Sequence, residues 1–247
     1  MATNKLTTLS LDKFKILSSS ALKLIACAAM LSGHITKFYF YHFTWVEAAW
    51  PTATLFTIAG RTITFHRLLL LFGKFAFPLF AFQLVEGFEK THDRKKYGIR
   101  LFILALISEI PFDLMIYRTW YNPDQNNVII TLFMGFLALC SLEYFKKNRI
   151  IGFIIVGALV IASRYVNADY RTPGLLFILL IYGLRHEKIL QCVVSPFLLR
   201  MKAMVCLSLL LTVFYNGKRG FIKSPFLKYF FYAFYPLHML VIYLLAN

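Results

Sequence analysis

Long apolar segments alternate with short polar or basic segments along most of the chain. Four of the apolar segments hold 18 to 21 residues with few charges, and they lie close to Leu22–Tyr41, Leu68–Phe88, Ile99–Tyr117 and Val128–Phe145. An α-helix needs about 20 predominantly apolar residues to cross the hydrocarbon core of a bilayer. These four segments are therefore predicted to be transmembrane helices.

The remaining apolar runs vary more in length, and several are too short to cross a bilayer alone. They lie close to Ile150–Tyr165, Pro173–Leu184, Ile189–Leu199, Ala203–Tyr215 and Tyr229–Ala246. Two arginines and a histidine interrupt residues 54–67, which we interpret as an interfacial or re-entrant piece. The pattern predicts an all-α fold, a polytopic transmembrane bundle of about eight spans with kinked or broken helices. Residues 1–20 are predicted to be a polar N-terminus, and residues 21–247 a single transmembrane domain.

Composition supports this prediction. Hydrophobic residues make up 59% of the 247 residues and charged residues 15%, against about 45–50% and about 25% in soluble domains. A soluble globular domain, a disordered chain and a disulfide scaffold are excluded. The net charge of +16 would suggest a nucleic-acid partner in a soluble protein. Here the cations lie mainly in loops between apolar runs, so membrane lipid is the expected partner and nucleic acid is not.

The loop cations are distributed unevenly, and this predicts the orientation. Five lysines and arginines lie between Lys90 and Arg100, whereas Arg118 is the only such residue in 118–127. Cytoplasmic loops carry the excess of positive charge in membrane proteins. We therefore expect a multi-pass protein of the cell (inner, cytoplasmic) membrane with a cytoplasmic N-terminus. After residue 185 the loop charges leave the topology open, and the sequence does not indicate an oligomeric state.

Ionisable side chains within the spans are candidates for a functional site, because a charge at the membrane centre costs about 2.5–3.5 kcal/mol or more. His34 lies in the middle of the first span. Its imidazole is expected either to act as a general base or to form a hydrogen bond between helices. Lys74 follows Gly73 in the second span. Its ammonium group is expected either to bind a phosphate or carboxylate group or to extend to the membrane interface as a snorkelling lysine.

Two acids and a second histidine extend this set. Glu109 and Asp113 are four residues apart, so they share one helix face, and Pro111 lies between them. They are expected to line a polar cavity, or else to form an ion pair with a buried cation. His238 lies two residues after Pro236 in the last apolar run. A helix break beside a buried imidazole favours a functional role.

The turn at 215–220 is compact and basic. Asn216, Lys218 and Arg219 lie between or beside glycines, and such a turn suits pyrophosphate binding through backbone N–H groups and charge, or it is simply a loop. The chain has no P-loop and no G-x-G-x-x-G, G-x-S-x-G or H-E-x-x-H motif. Its four cysteines are single residues within apolar runs, and we expect no metal site.

Taken in order, these landmarks resemble the TraX family of membrane acetyltransferases, a family similar to the acyltransferase-3 superfamily. The resemblance begins near Ala21 and covers nearly the whole chain. The matching segments are LKLIACAAMLSGHI, GKFAFPLFAFQLVEGF, KYGIRLFILALISEIPFDL, NNVIITL, YNGKRG and FYAFYPLHMLVIYLL. Several separate motifs agree, so the resemblance is fairly specific.

The resemblance implies a membrane-bound, acetyl-CoA-dependent N-acetyltransferase. Acetyl-CoA would be its co-substrate, and the acceptor an amine, plausibly the N-terminus of a small secreted or membrane peptide such as a pilin. His34 would be the catalytic base, His238 a second acid or base, and Glu109 the partner that orients His34. Lys74 would neutralise charge on the donor or on the developing oxyanion.

Further residues would bind the two substrates. Asp113 and Asn127 would line the acceptor cavity. Residues that would hold or attract the anionic CoA nucleotide are Asn216, Lys218, Arg219, Arg94, Lys95 and Lys96.

Two positions depart from the family pattern. Gly33 precedes His34 where the family usually has Asp, and Lys74 stands where it usually has Arg. Two alternatives therefore stay open: a proton-coupled transporter, since buried ionisable groups in kinked spans fit one, and a non-catalytic membrane partner of a secretion or conjugation apparatus.

Overall fold

The computed structural model describes residues 14–42, 54–58, 61–199, 202–222 and 224–245, and these are helical apart from one hairpin, one 3₁₀ turn and the connecting loops. The hairpin pairs β1 (Thr54–Ile58) with β2 (Arg61–Thr64) in antiparallel fashion. The helices are α1 Ser19–His42, α2 Phe65–Gly73, α3 Ala76–Lys90, α4 Arg94–Tyr117, α5 Val128–Tyr144, α6 Arg149–Tyr165, α7 Arg171–Gly183, α8 Lys188–Val194, α9 Lys202–Val213 and α10 Pro225–Leu245. The predicted all-α class is confirmed.

Three described stretches are long and apolar enough to cross a membrane: Ser19–Phe38, Phe65–Lys90 and Phe226–Leu245. Shorter apolar helices pack beside them, among them α5, α7 and α9. This is the organisation of a helical membrane protein, as the apolar pattern predicts.

Helix boundaries follow capping residues that the sequence displays. Asp93 ends the loop before α4, and its carboxylate accepts a hydrogen bond from the Lys96 amide at 2.8 Å. Asn127 does the same for α5, with its amide oxygen 2.9 Å from the nitrogen of Ile129. Short polar side chains satisfy the free N–H groups of a first helical turn. The predicted starts near these positions therefore agree with the structure to within a few residues.

Two features differ from the predicted pattern. The strands β1 and β2 pair with each other here, because their threonines and isoleucines favour strands. The second span is two helices, α2 and α3, joined by a turn at Lys74 and Phe75. Pro78 has no N–H to donate to the carbonyl of Lys74 four residues earlier, so the helical ladder is interrupted there.

Helix α3 is the centre of the bundle. Its side chains Leu79, Phe82 and Phe88 are at most 1% exposed. Helices α1, α5, α7 and α9 all pack against it. Lys74 lies in the turn that leads into α3, so it is held next to this buried helix.

The predicted orientation leads to a labelling experiment. We expect Lys95→Cys, on a background without the native cysteines, to react with a membrane-impermeant thiol reagent only after the cells are opened. Tyr121→Cys, in the loop after α4, is expected to react on intact cells. Labelling of Lys95→Cys from outside intact cells would reverse the assignment.

Candidate active site

A cavity of about 690 Å³ runs between α1, α3, α4 and α10. Lys23 of α1 lines it near one end, and His34 lines it further along the same helix. The spacing of eleven positions between these two residues corresponds to about 16 Å of helix. The cavity therefore connects a basic end of the bundle with an imidazole in its interior.

His34 is joined to His238 of α10, and the two lie 204 positions apart in the chain. The Nδ1 atom of His34 lies 2.7 Å from the Nε2 atom of His238, and the ring planes are 3° from parallel. Atoms of face-to-face rings stay about 3.5 Å or more apart. The two imidazoles must therefore meet edge to edge, as an in-plane hydrogen bond requires.

A backbone carbonyl sets the direction of this hydrogen bond. The Nδ1 atom of His238 lies 2.6 Å from the carbonyl oxygen of Phe234, which can only accept, so that nitrogen carries the proton. In a neutral pair the Nε2 atom of His238 is then the acceptor, and His34 donates from Nδ1. The Nε2 atom of His34 is left with a free lone pair, which is the state that a general base needs.

Two glycines bring α1 and α2 into backbone contact beside the site. A Cβ atom on Gly33 would lie 3.1 Å from Cα of Gly73, and one on Gly73 would lie 2.7 Å from Cα of Gly33. Small residues permit such close helix crossings in membranes. The residues that follow these glycines, His34 and Lys74, both line the cavity. The crossing therefore sets their relative position.

The structure gives Gly33 a packing role. An added Cβ atom there would lie 3.1 Å from Cα of Gly73, so any side chain before His34 would be crowded at this crossing. The hydrogen-bond partner of His34 comes from His238 on another helix.

Five cations line the basic end of the cavity, and each comes from a different element of the chain: Lys23, Lys90, Arg100, Arg219 and Lys228. Lys90 is committed to Glu86 at 2.9 Å and to the carbonyl of Gly217 at 2.7 Å. The other four pair with no carboxylate among the described residues. They form a positively charged surface, which we call the basic mouth.

The cations predicted to attract a nucleotide are arranged differently. Arg94 lies 3.7 Å from Glu143 and over the ring of Phe88, and Lys96 pairs with Asp93 at 3.2 Å. Lys95 is exposed, and none of the three basic side chains lines the cavity.

The turn at 215–220 is fastened to the start of α1. Its carbonyls at Lys218 and Arg219 accept from the amides of Ser19 and Ser20, at 2.9 and 3.0 Å. The amide of Lys218 is bound to the side chain of Asn216, whose own amide donates to Leu17. The N–H groups of Asn216 and Lys218 are therefore occupied within the protein and are not available to a phosphate. Arg219 alone of the three predicted side chains faces the cavity.

Three residues predicted to line the acceptor cavity do not line the cavity described above or a second cavity that adjoins it: Glu109, Asp113 and Asn127. Asn127 donates from its side-chain amide to Glu109 and to the carbonyl of Ala105. Asp113 accepts from the amide of Asn122 at 2.9 Å. The shared face of the two acids is turned to the loop between α4 and α5, where a helix N-terminus attracts negative charge. The predicted pairing of Glu109 with His34 is wrong, because His238 occupies that position.

A second cavity of about 490 Å³ adjoins the first, and both are lined by Lys37, Lys74, Asp169 and Tyr170. Sequence reasoning missed Lys37 and gave Asp169 no role. Lys37 is three residues after His34, so it lies on the same helix face, and that spacing could have identified it. No comparable signal marks Asp169, which reaches the site through the loop before α7.

Comparison with known proteins supports one assignment. The family model described as "TraX protein" matches residues 18–246, nearly the full chain. Searches of curated proteins and of solved structures found no significant match. The extent of the family match, together with the helical fold, shows that this chain belongs to the TraX family.

Proposed function

We propose that this protein transfers an acetyl group from acetyl-CoA to an amine at the His34–His238 pair. The observation that carries the proposal is the hydrogen-bonded chain from Phe234 through His238 to His34, which leaves a basic nitrogen beside a cavity with a cationic entrance. Family membership supports a related activity without identifying the acceptor.

The basic mouth suits the donor. Coenzyme A carries several phosphate charges at one end and its thioester at the other, so cations at the entrance would hold the nucleotide. The thioester would then extend towards His34. The cavity lining between these points is mixed, with aromatic and aliphatic residues such as Phe80, Leu84 and Tyr232.

The chemistry needs one proton acceptor and one site of positive charge. The amine nitrogen attacks the thioester carbonyl, and the Nε2 atom of His34 takes the proton that the nitrogen loses. The C–S bond breaks, and the same proton passes to the leaving sulfur, giving an amide and free CoA. His238 stabilises the imidazolium through the shared hydrogen bond, and Lys74 offsets negative charge on the carbonyl oxygen.

Purified protein in detergent tests the proposal directly. We expect it to bind acetyl-CoA and to release CoA when a primary amine is supplied, with formation of the acetylated amine measured by mass spectrometry. A transporter would instead carry substrate across proteoliposomes without cleaving the thioester. Intact acetyl-CoA after prolonged incubation with amines would contradict the acetyltransferase assignment.

The basic mouth leads to a separate prediction about binding. Arg219→Gln and Lys23→Gln should each weaken acetyl-CoA binding by about tenfold, because each removes a charged partner of a phosphate. Binding should also weaken as salt is added. The matched control is Lys95→Gln, an exposed lysine outside the cavity. Equilibrium dialysis with radiolabelled acetyl-CoA measures all three, and equal effects of the control and Arg219→Gln would contradict the prediction.

A further inference from the structure

The second cavity contains an unusual combination of charges. Lys37, Lys74 and Arg171 line it, and Asp169 is the one carboxylate among its described lining residues. Its other walls are mostly prolines and aliphatic side chains. Three cations against one acid leave a positive excess, which favours a ligand with an anionic group.

Asp169 is available to bind a second kind of group. It forms no ion pair or side-chain hydrogen bond with another residue in the described part of the chain. The other carboxylate that lines the first cavity, Glu86, is in contrast already paired with Lys90 and Lys188. Asp169 is therefore the carboxylate of the second cavity whose side chain no described residue binds, and it can receive an ammonium group.

The loop that carries Asp169 is held firmly. Asn167, Tyr170 and Arg171 have φ values of 53°, 67° and 40°, in the left-handed region that such residues rarely adopt. Asn126 fastens the loop by accepting from the Asp169 amide and donating to the Asn167 carbonyl, both at 3.0 Å. The ring of Tyr170 stacks on Phe77 with centroids 3.9 Å apart. Residues kept in unfavourable conformations by several contacts are common at binding sites.

The positions of the charges give the ligand a direction. Asp169 lines both cavities, whereas Arg171 lines only the second. An amine at Asp169 would lie at the junction, on the side of His34, and an anion at Arg171 would lie further away. Lys37 and Lys74 would face the part of the ligand between these two groups.

We propose that the second cavity binds an acceptor that carries both an amine and an anionic group, with the amine at Asp169 and the anion at Arg171. This inference rests on the proposed function for the identity of the amine as acceptor. It also separates the routes of the two substrates, with acetyl-CoA in the first cavity and the acceptor in the second. Asp169 is a binding residue in this arrangement. The bound ammonium group first releases one proton to solvent, and the neutral amine then gives its second proton to His34, which remains the base.

Binding of small probes in the absence of acetyl-CoA tests the inference. O-phosphoethanolamine and ethanolamine differ only in the phosphate, and β-alanine and β-alaninamide differ only in the carboxylate charge. Isothermal titration calorimetry on the purified protein should show each anionic amine binding at least about tenfold more tightly than its match. The anionic amine that binds more tightly shows whether the cavity prefers a phosphate or a carboxylate. Equal affinities within both pairs would overturn the proposal.

Two substitutions assign the ends of the ligand. Asp169→Asn should weaken binding of all the amines by about tenfold or more, and Arg171→Gln should abolish the advantage of the anionic ones. Glutamine is used because, unlike glycine, it has a Cβ atom like arginine. The conformational preference at the positive φ of position 171 therefore stays similar. Controls are Asp124→Asn and Arg164→Gln, which are exposed and line neither cavity.

Acetyl-CoA binding measured on the same samples separates the two proposals. Preserved acetyl-CoA binding shows that Asp169→Asn is folded, and unchanged amine binding in that variant would overturn the inference alone. If Asp169→Asn does not fold, Asp169→Glu replaces it and should retain amine binding within a few-fold. Absence of thioester cleavage with intact amine binding would instead count against the proposed acetyl transfer only.

Discussion

Replacement of His34 by alanine is expected to lower turnover about 10²- to 10⁴-fold, the usual range for loss of a general acid or base. His34 lines the cavity and its Nε2 atom keeps a free lone pair, and no other imidazole lines the cavity among the described residues. Acetyl-CoA binding should change little, because it depends on the basic mouth. Single-turnover kinetics with acetyl-CoA and a primary amine measure the effect.

His238 should act through His34, and its variants can show this. His238→Ala should cost nearly as much as His34→Ala, and the double variant should be little worse than either, as for residues that act as a unit. His238→Gln should recover part of the activity, since its amide oxygen can accept from Nδ1 of His34. Additive losses would contradict the pair.

Two matched controls sharpen the experiment. His186 is exposed and lines neither cavity, so His186→Ala should leave turnover unchanged. Glu109→Gln should also have little effect, because glutamine can still accept from Asn127 and the residue does not reach His34. A loss with Glu109→Gln as large as that with His34→Ala would restore the pairing that the structure excludes.

Replacement of Gly33 by aspartate, the residue that the sequence resemblance leads us to expect before the histidine, should lower activity about 10²-fold or more. The new Cβ would lie 3.1 Å from Cα of Gly73, so the side chain would crowd the helix crossing. Overpacking alone costs about 1–3 kcal/mol, and a buried carboxylate adds to this. Displacement of His34 and Lys74 by about 1 Å can lower the rate about 10²-fold.

Glycine-to-alanine variants isolate the packing effect from charge. Gly73→Ala should lower the thermal midpoint and the activity together, since its Cβ would lie 2.7 Å from Cα of Gly33. Gly157→Ala is the control, because nothing lies within 4 Å of its added Cβ. The thermal midpoint is measured by heating samples and determining by size-exclusion chromatography how much folded protein remains. Higher turnover in Gly33→Asp than in the parent protein would show that the crossing tolerates a side chain.

Much of the fold could be predicted because its signals are local. The spans follow from runs of apolar residues, and caps such as Asp93 and Asn127 mark where helices begin. The pairing of β1 with β2 was harder to predict, since the arginines and the histidine in 54–67 suggested only an interfacial or re-entrant piece. The break before α3 depends on Pro78, whose effect falls four residues earlier, at Lys74.

The candidate site was only partly predictable, because its contacts join distant segments. The sequence identifies His34 and His238 as costly groups in the membrane, but not that they are partners. Helical spacing places Glu109 and Asp113 on one face without showing which neighbour that face meets. Asp169 lies in a loop whose conformation depends on Asn126 and Phe77, and neither contact can be deduced from local pattern.

The two lysines at the junction of the cavities also bear on the permeability of the membrane. A passage open at both ends would let protons and metal cations flow down their electrochemical gradients. Lys37 and Lys74 place fixed positive charge where the cavities meet, and such charge raises the barrier to cations, as it does in water-conducting pores. In the proposed reaction the same two lysines would contact both substrates and would also oppose the leakage of cations through the bundle.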